Sequence, residues 1–167
     1  MFEKLNTPEE IFSFKLGSAL TMENDILDML GNLQEKTNRE ELRQLLREHA
    51  EETRQHARNI EQAFALLGEE VDDSPCPAIQ GLDKEGKATM KKTDDSIIDA
   101  VILSGAIETE HHEIAVYEVL ITNAEARGAP QVADLLRQNL EQEKEALQKV
   151  KDAAQRISRE GYAKVAA

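Results

Sequence analysis

The sequence predicts an all-α chain: a bundle of four long helices, arranged as two antiparallel hairpins joined by one long crossover that carries a short extra helix. Three observations predict it. Apolar residues recur at three-to-four spacing through four long segments, the period of helices with one buried face. The breakers, 8 Gly and 4 Pro in 167 residues, fall mostly between those segments. No segment alternates apolar and polar residues as a half-buried strand would, and aromatic residues make up only 4% of the chain, so a β-rich core lacks its usual material.

The first helix is expected over about 8–36. Thr7-Pro8-Glu9-Glu10 reads as its start, with Thr7 as cap, Pro8 in the first turn and Glu10 closing a capping box. Phe12, Leu16, Leu20, Leu27, Leu30 and Leu33 form its stripe. Thr37-Asn38-Arg39-Glu40 reads as a second capping box, so the next helix is expected over about 38–67, with Gly68 as its terminator. The stretch 68–94 holds Pro75, Cys76, Pro77, Gly81 and Gly86 and reads as the crossover, with a short helix near Ala78–Lys91. A third long helix is expected over about 95–127, broken by Gly128-Ala129-Pro130, and a fourth over about 131–157, with Gly161 and the residues after it frayed. Two short links enforce antiparallel neighbours, and one long connection between hairpins is the ferritin-like version of the four-helix bundle.

The whole chain, 1–167, reads as one domain. Lys+Arg 20 against Asp+Glu 33 gives a formal charge of −13, which argues against nucleic-acid or anionic-membrane partners. Cys76 is the lone cysteine, so there is no disulfide framework, and a reducing, cytoplasmic setting is expected. Met1-Phe2-Glu3-Lys4-Leu5-Asn6 has none of the basic-then-apolar pattern of a leader. No stretch approaches the ~20 apolar residues of a membrane span. No motif identifies a small-molecule substrate.

What interrupts the apolar stripes carries the chemistry. On the first helix Leu16, Leu20, Glu23, Leu27 and Leu30 follow one seam. The second reads Leu42, Leu45, His49, Glu52, His56 and Ile60. The third reads Ala106, Glu110, Glu113, Tyr117 and Leu120, and the fourth Leu136, Leu140, Glu143, Leu147 and Val150. Each helix thus turns a carboxylate inward, and with a rise of ~1.5 Å per residue all lie within about one turn of the helix midpoints. For Glu23 alone, a stem lying on the core with its head in water would suffice; four seams coinciding at one height require more. A buried layer of like charges costs several kcal/mol unless it is protonated or neutralised by cations. Five carboxylates with one or two imidazoles suit iron or manganese, and a pair of ions could share bridging glutamates. Either His49 or His56, or both, could supply nitrogen.

The same residues resemble the YciF-like family of bacterial stress proteins, in the ferritin-like superfamily. The likeness runs from about Ile11 to Ile157 and rests on Met22-Glu23, His49-Ala50-Glu51-Glu52-Thr53, Cys76-Pro77-Ala78-Ile79-Gln80-Gly81-Leu82 with Glu85-Gly86, Glu110-His111-His112-Glu113-Ile114-Ala115 before Tyr117, and Leu140-Glu141-Gln142-Glu143-Lys144. The resemblance implies a ferritin-like fold, a homodimer, a cytoplasmic location and a dinuclear metal centre of two iron or manganese ions. By position it implies Glu23, Glu52, Glu110, Glu113 and Glu143 as ligands, with His49 or His56 as nitrogen donor. The chain departs from the family pattern at Leu147, where an acid is usual, and at His56 and His112, where Gln and Tyr are common. Glu52-x-x-Gln55 and Glu143-x-x-Ala146 also miss the Glu-x-x-His repeat of the stricter di-iron bundles. Two functions are therefore expected to compete: a dinuclear metal protein of the stress response with iron/peroxide redox chemistry, and a metal-free structural or protein-interaction module.

Overall fold

The computed structural model describes residues 4–165, so the leader reading, which rests partly on Met1-Phe2-Glu3, falls in part outside the described residues. The helices are α1 (Pro8–Lys36), α2 (Glu40–Leu67), α3 (Pro77–Met90), α4 (Ile98–Ala126) and α5 (Pro130–Val165), with a 3-10 turn over Asp95–Ile97 leading into α4. No strand occurs among the described residues. The α1, α2, α5 and α4 helices pack in that cyclic order, each against the next, and α3 lies across α4 and α1.

The first start signal forms as the sequence predicts. Thr7 Oγ1 accepts from the Glu10 amide at 3.1 Å, while the Glu10 carboxylate accepts from the Thr7 amide at 3.2 Å. The second predicted capping box does not form. Thr37 follows α1 instead of capping α2, and Arg39 holds the N-cap position without a side-chain bond. The reason is a long-range competitor: Thr37 Oγ1 donates to Asp99 Oδ1 at 2.7 Å, and the Asn38 amide reaches the same oxygen at 3.1 Å. The α2 helix therefore begins at Glu40, two residues later than expected. The last helix also corrects the expectation, since α5 passes Gly161 and runs to Val165. Glu160 anchors its final turns by pairing with Arg39 at 2.7 Å across the bundle and with Arg156 at 3.5 Å along the helix.

These contacts give the helix directions. The end of α1 meets the start of α4 through Thr37–Asp99. At the opposite end, Glu69 accepts from Ser13 at 2.5 Å and from Arg127 at 2.8 Å, joining the start of α1 to the ends of α2 and α4. The segment 68–94 must therefore travel the length of the bundle, as the predicted topology requires. It lies close against α1 at Gly17, where an added Cβ would stand 2.9 Å from the Asp72 carbonyl oxygen. Gly68, at φ 69°, takes the left-handed conformation that ends α2. Phe12, Leu16, Ile26, Ile60, Phe64, Ile102, Leu120 and Leu136 are buried in the core, and α3 covers part of α4. No helix of the described residues is long and apolar enough to cross a membrane.

Candidate metal centre

Midway along the bundle the apolar core gives way to a charged layer. The α1 helix places Glu23 there, α2 places His49 and His56 two turns apart, α4 places Glu110 and Glu113 one turn apart, and α5 places Glu143. All six are buried, with Glu23, His56, Glu113 and Glu143 fully enclosed. Glu52, the seventh predicted residue, is not part of this inner group; its side chain is 26% exposed.

The six form two clusters that share one residue. His49, Glu110, Glu113 and Glu143 bring one ligand atom each to within 4.8 Å of the others, and Glu23, His56 and Glu143 do the same. His49 Nε2 stands 3.1 Å from Glu110 Oε1 and 3.8 Å from Glu143 Oε2. His56 Nδ1 stands 2.8 Å from Glu143 Oε1 and 3.5 Å from Glu23 Oε2. Both imidazoles therefore face inward, which the spacing alone left open.

Each imidazole is also held from behind. His49 Nδ1 faces Glu52 Oε2 at 3.4 Å, and His56 Nε2 faces Gln142 Oε1 at 2.8 Å. A ring nitrogen that donates outward turns the other nitrogen's lone pair inward, the arrangement that orients histidine ligands. Glu52 thus stands behind a donor rather than among the donors, with Lys149 Nζ 3.7 Å from its other oxygen. The His49 contact, with burial opposing it and Lys149 assisting, holds the Glu52 carboxyl below its ordinary range.

The inward atoms are close together but unpaired. Glu23 Oε2, Glu110 Oε2, both oxygens of Glu113, both of Glu143, His49 Nε2 and His56 Nδ1 are buried without a hydrogen-bond partner. The short His–Glu distances are ion-pair separations that lack hydrogen-bond alignment. Such atoms cost several kcal/mol when nothing positive sits among them. The titration behaviour expresses the same demand. Burial, reinforced by Glu143, Glu110 and Glu23, pushes Glu113 well above the carboxylate range. Burial lifts Glu143 to about 7 against the opposing pull of His56. For the histidines burial works the other way and is overcome: Glu110 and Glu52 hold His49 well above its usual value, and Glu143 and Glu23 raise His56 to about 10. Protons thus occupy the place that the geometry offers to a cation. Carboxylate oxygens with imidazole nitrogens are a donor set that iron and manganese accept, so the residues present fit the metal pair that the resemblance implies.

A polar network backs the centre; the seam placed Tyr117 within reach of the acidic layer, but its asparagine partners were absent from the sequence reading. The Tyr117 hydroxyl donates to Glu23, and the Asn139 amide donates to Tyr117 Oη at 3.0 Å and to the His56 carbonyl at 3.2 Å. Asn59 in turn donates to Asn139 Oδ1 at 2.7 Å. The rings of Tyr117 and His56 meet edge to face, with centroids 6.2 Å apart. Asn139 lies one turn before Glu143 and interrupts the stripe between Leu136 and Leu140, a signal that a search for acids and histidines alone passes over. His111 is exposed, and His112 faces Cys76, with Nε2 3.9 Å from Sγ, rather than the centre. Leu147 is buried one turn beyond Glu143; the second cluster takes its nitrogen from His56 instead of an acid at 147.

The family profile described as "Domain of unknown function (DUF892)" matches residues 7–163. Protein YciF of Escherichia coli (strain K12) is 31% identical over 152 residues, which is 90% of this chain and 92% of that protein. The crystal structure of the Escherichia coli stress protein YciF superposes with a TM-score of 0.88 at 30% identity, covering 93% of this chain and 99% of that one. YcfI of Rhodopseudomonas palustris, described as a candidate structural protein, superposes with a TM-score of 0.87 at 33% identity, covering 90% and 98%. A protein from Xanthomonas campestris shares the fold, with a TM-score of 0.76 at 22% identity, covering 96% and 100%.

Proposed function

Because the chain belongs to the DUF892 family, together with YciF, we propose that it is a stress protein whose buried waist holds two divalent cations, iron or manganese. The observation that carries this reading is the set of inward-facing, unpaired atoms of Glu23, His49, His56, Glu110, Glu113 and Glu143. Four carboxylates opposite two divalent ions balance in charge, and the neutral imidazoles complete the donor set without disturbing that balance. Glu143, common to both clusters, would serve both ions.

The chain's own groups have definable tasks. Glu52 and Gln142 fix the orientation of the two imidazoles, and the Tyr117 hydroxyl holds one oxygen of Glu23 so that the other faces His56. The burial of all six residues strengthens every electrostatic interaction within the layer. A pair of iron ions would supply two one-electron transfers, enough to reduce a peroxide or dioxygen molecule.

Metal analysis of protein produced with iron or manganese should find about two ions per chain. Added Fe(II) should be oxidised faster than in buffer. Metal-free preparations together with no acceleration would end this reading. A second reading, a metal-free structural or interaction protein, draws on Leu147 and on the capacity of the raised groups to neutralise the layer with protons. Glu110→Gln separates the two. It should cost a metal-bound chain its ions and the stability they contribute, and leave a metal-free chain unchanged or more stable. Homodimerisation belongs to the first reading as well, and light scattering of the purified chain tests it.

A further inference from the structure

The bundle is not filled evenly along its axis. Between the charged waist and the end where α1 passes into α2, a cavity of about 60 Å³ lies beneath α3. Its wall is apolar, formed by Ile26, Leu30, Leu46, Leu82, Ile102 and Val150. The inner end is His49 and Glu110, two members of the candidate metal centre. Asp83 and Lys87 of α3, paired at 2.6 Å and partly exposed, also line it and reach solvent. Thr109, another lining residue, has its hydroxyl committed to the Gly105 carbonyl at 2.9 Å.

Two glycines contribute to this wall from within helices, Gly86 on α3 and Gly105 on α4. A glycine in a helix interior costs about 1 kcal/mol relative to alanine, and neither position is forced by crowding, because an added Cβ at either would meet no atom within 4 Å. What both positions preserve is space. Apolar space of this kind takes up small apolar solutes.

We propose that this cavity is a binding pocket for dioxygen, which it holds against the His49–Glu110 edge of the centre. The assignment rests on the metal reading above and decides between its two oxidants. Dioxygen carries no charge and no hydrogen-bond donor, so it enters an apolar cavity without penalty. Hydrogen peroxide brings two hydroxyls, and along the wall of Ile26, Leu30, Leu46, Leu82, Ile102 and Val150 neither finds a partner, at a cost of roughly 1–3 kcal/mol each. The volume, several times the about 10–15 Å³ that one water-sized occupant needs, admits a diatomic molecule with room to spare. The reaction served would balance: two ferrous ions would supply one electron each, and dioxygen with two protons from solvent would leave as hydrogen peroxide.

Xenon, a spherical apolar probe, tests the pocket without any metal. Metal-free full-length protein, crystallised and pressurised with xenon, should show a xenon atom among Ile26, Leu46 and Ile102, and Gly105→Leu should abolish it. Should Gly105→Leu fail to fold by circular dichroism, Gly86→Leu fills the same space from α3. In Fe(II)-loaded protein, filling the cavity should slow oxidation by dioxygen about tenfold and leave oxidation by hydrogen peroxide within about twofold. Absence of xenon from the unaltered chain overturns the proposal, as does equal slowing with both oxidants. If neither oxidant reacts with the loaded, unaltered chain, dioxygen delivery falls together with the metal reading. The xenon result then still reports whether the apolar pocket exists.

Discussion

Two buried carboxylates in this molecule are treated in opposite ways. Asp99, at the start of α4, is 6% exposed, and the chain satisfies it from its own resources: Thr37 and the Asn38 amide share one oxygen, and Arg39 Nε lies 3.6 Å from the other. Glu113, on the same helix, is fully buried, and neither of its oxygens has a partner. Where a buried acid ties helices together, hydroxyl, amide and guanidinium groups surround it. At the waist, acids from three helices and imidazoles from the fourth converge with few donors between them. The contrast shows that the fold can satisfy a buried carboxylate, and the unpaired layer is the feature on which the metal reading rests.

The sharpest way to break the comparison is at Glu143, which belongs to both clusters. Glu143→Gln should weaken metal binding at both by more than about a thousandfold, a loss on the order of 4 kcal/mol at each site, read by calorimetric titration with Mn(II). Loss of only one ion would show that the clusters do not share it.

Proton concentration provides the second test. In metal-free protein the layer comprises Glu23, His49, His56, Glu110, Glu113 and Glu143, with Tyr117 beside it. His56 rises from 6.5 to about 10 on folding, so the stability it contributes is full below pH 6.5 and is lost as pH climbs through 10. Glu143 rises from 4.5 to about 7, so its contribution is full below 4.5 and is lost through 7. Metal-free protein should therefore be less stable at pH 9 than at pH 6, on the order of 3–4 kcal/mol in urea titrations. Bound metal should reverse the trend, because ions bind the deprotonated donors. An unchanged midpoint across that range would mean that the layer is not protonated as described.

The smallest effect falls on the satisfied acid. Asp99→Ala strands the Thr37 hydroxyl and the Asn38 amide, takes one of three acidic partners from Arg39, and should lower stability by about 2 kcal/mol, measurable as a drop in Tm. The loss should be the same with and without metal. A dependence on metal would show that the two regions are coupled.

Much of this architecture can be read from spacing alone. Helix periodicity, the Thr7 cap and Gly128-Ala129-Pro130 locate the long helices within a few residues, because those signals are local. The start of α2 was misplaced because Thr37 bonds a residue 62 positions away, a contact no local pattern displays. The end of α5 was misplaced because Arg39 captures Glu160 across the bundle. At the waist the seams brought out the acids and both histidines. They could not separate Glu52 from the rest, since a seam specifies a face and not how far a side chain reaches into it. Asn139 escaped because an amide in a stripe looks like noise until the phenol it holds is in view.

Glu143 also carries a lesson about order of events. A side chain claimed by two neighbouring seats cannot be set for one without altering the other, so the first arrival fixes the terms on which the second is received. Filling would then proceed as a linked pair, and a titration curve drawn for two independent sites would misdescribe it.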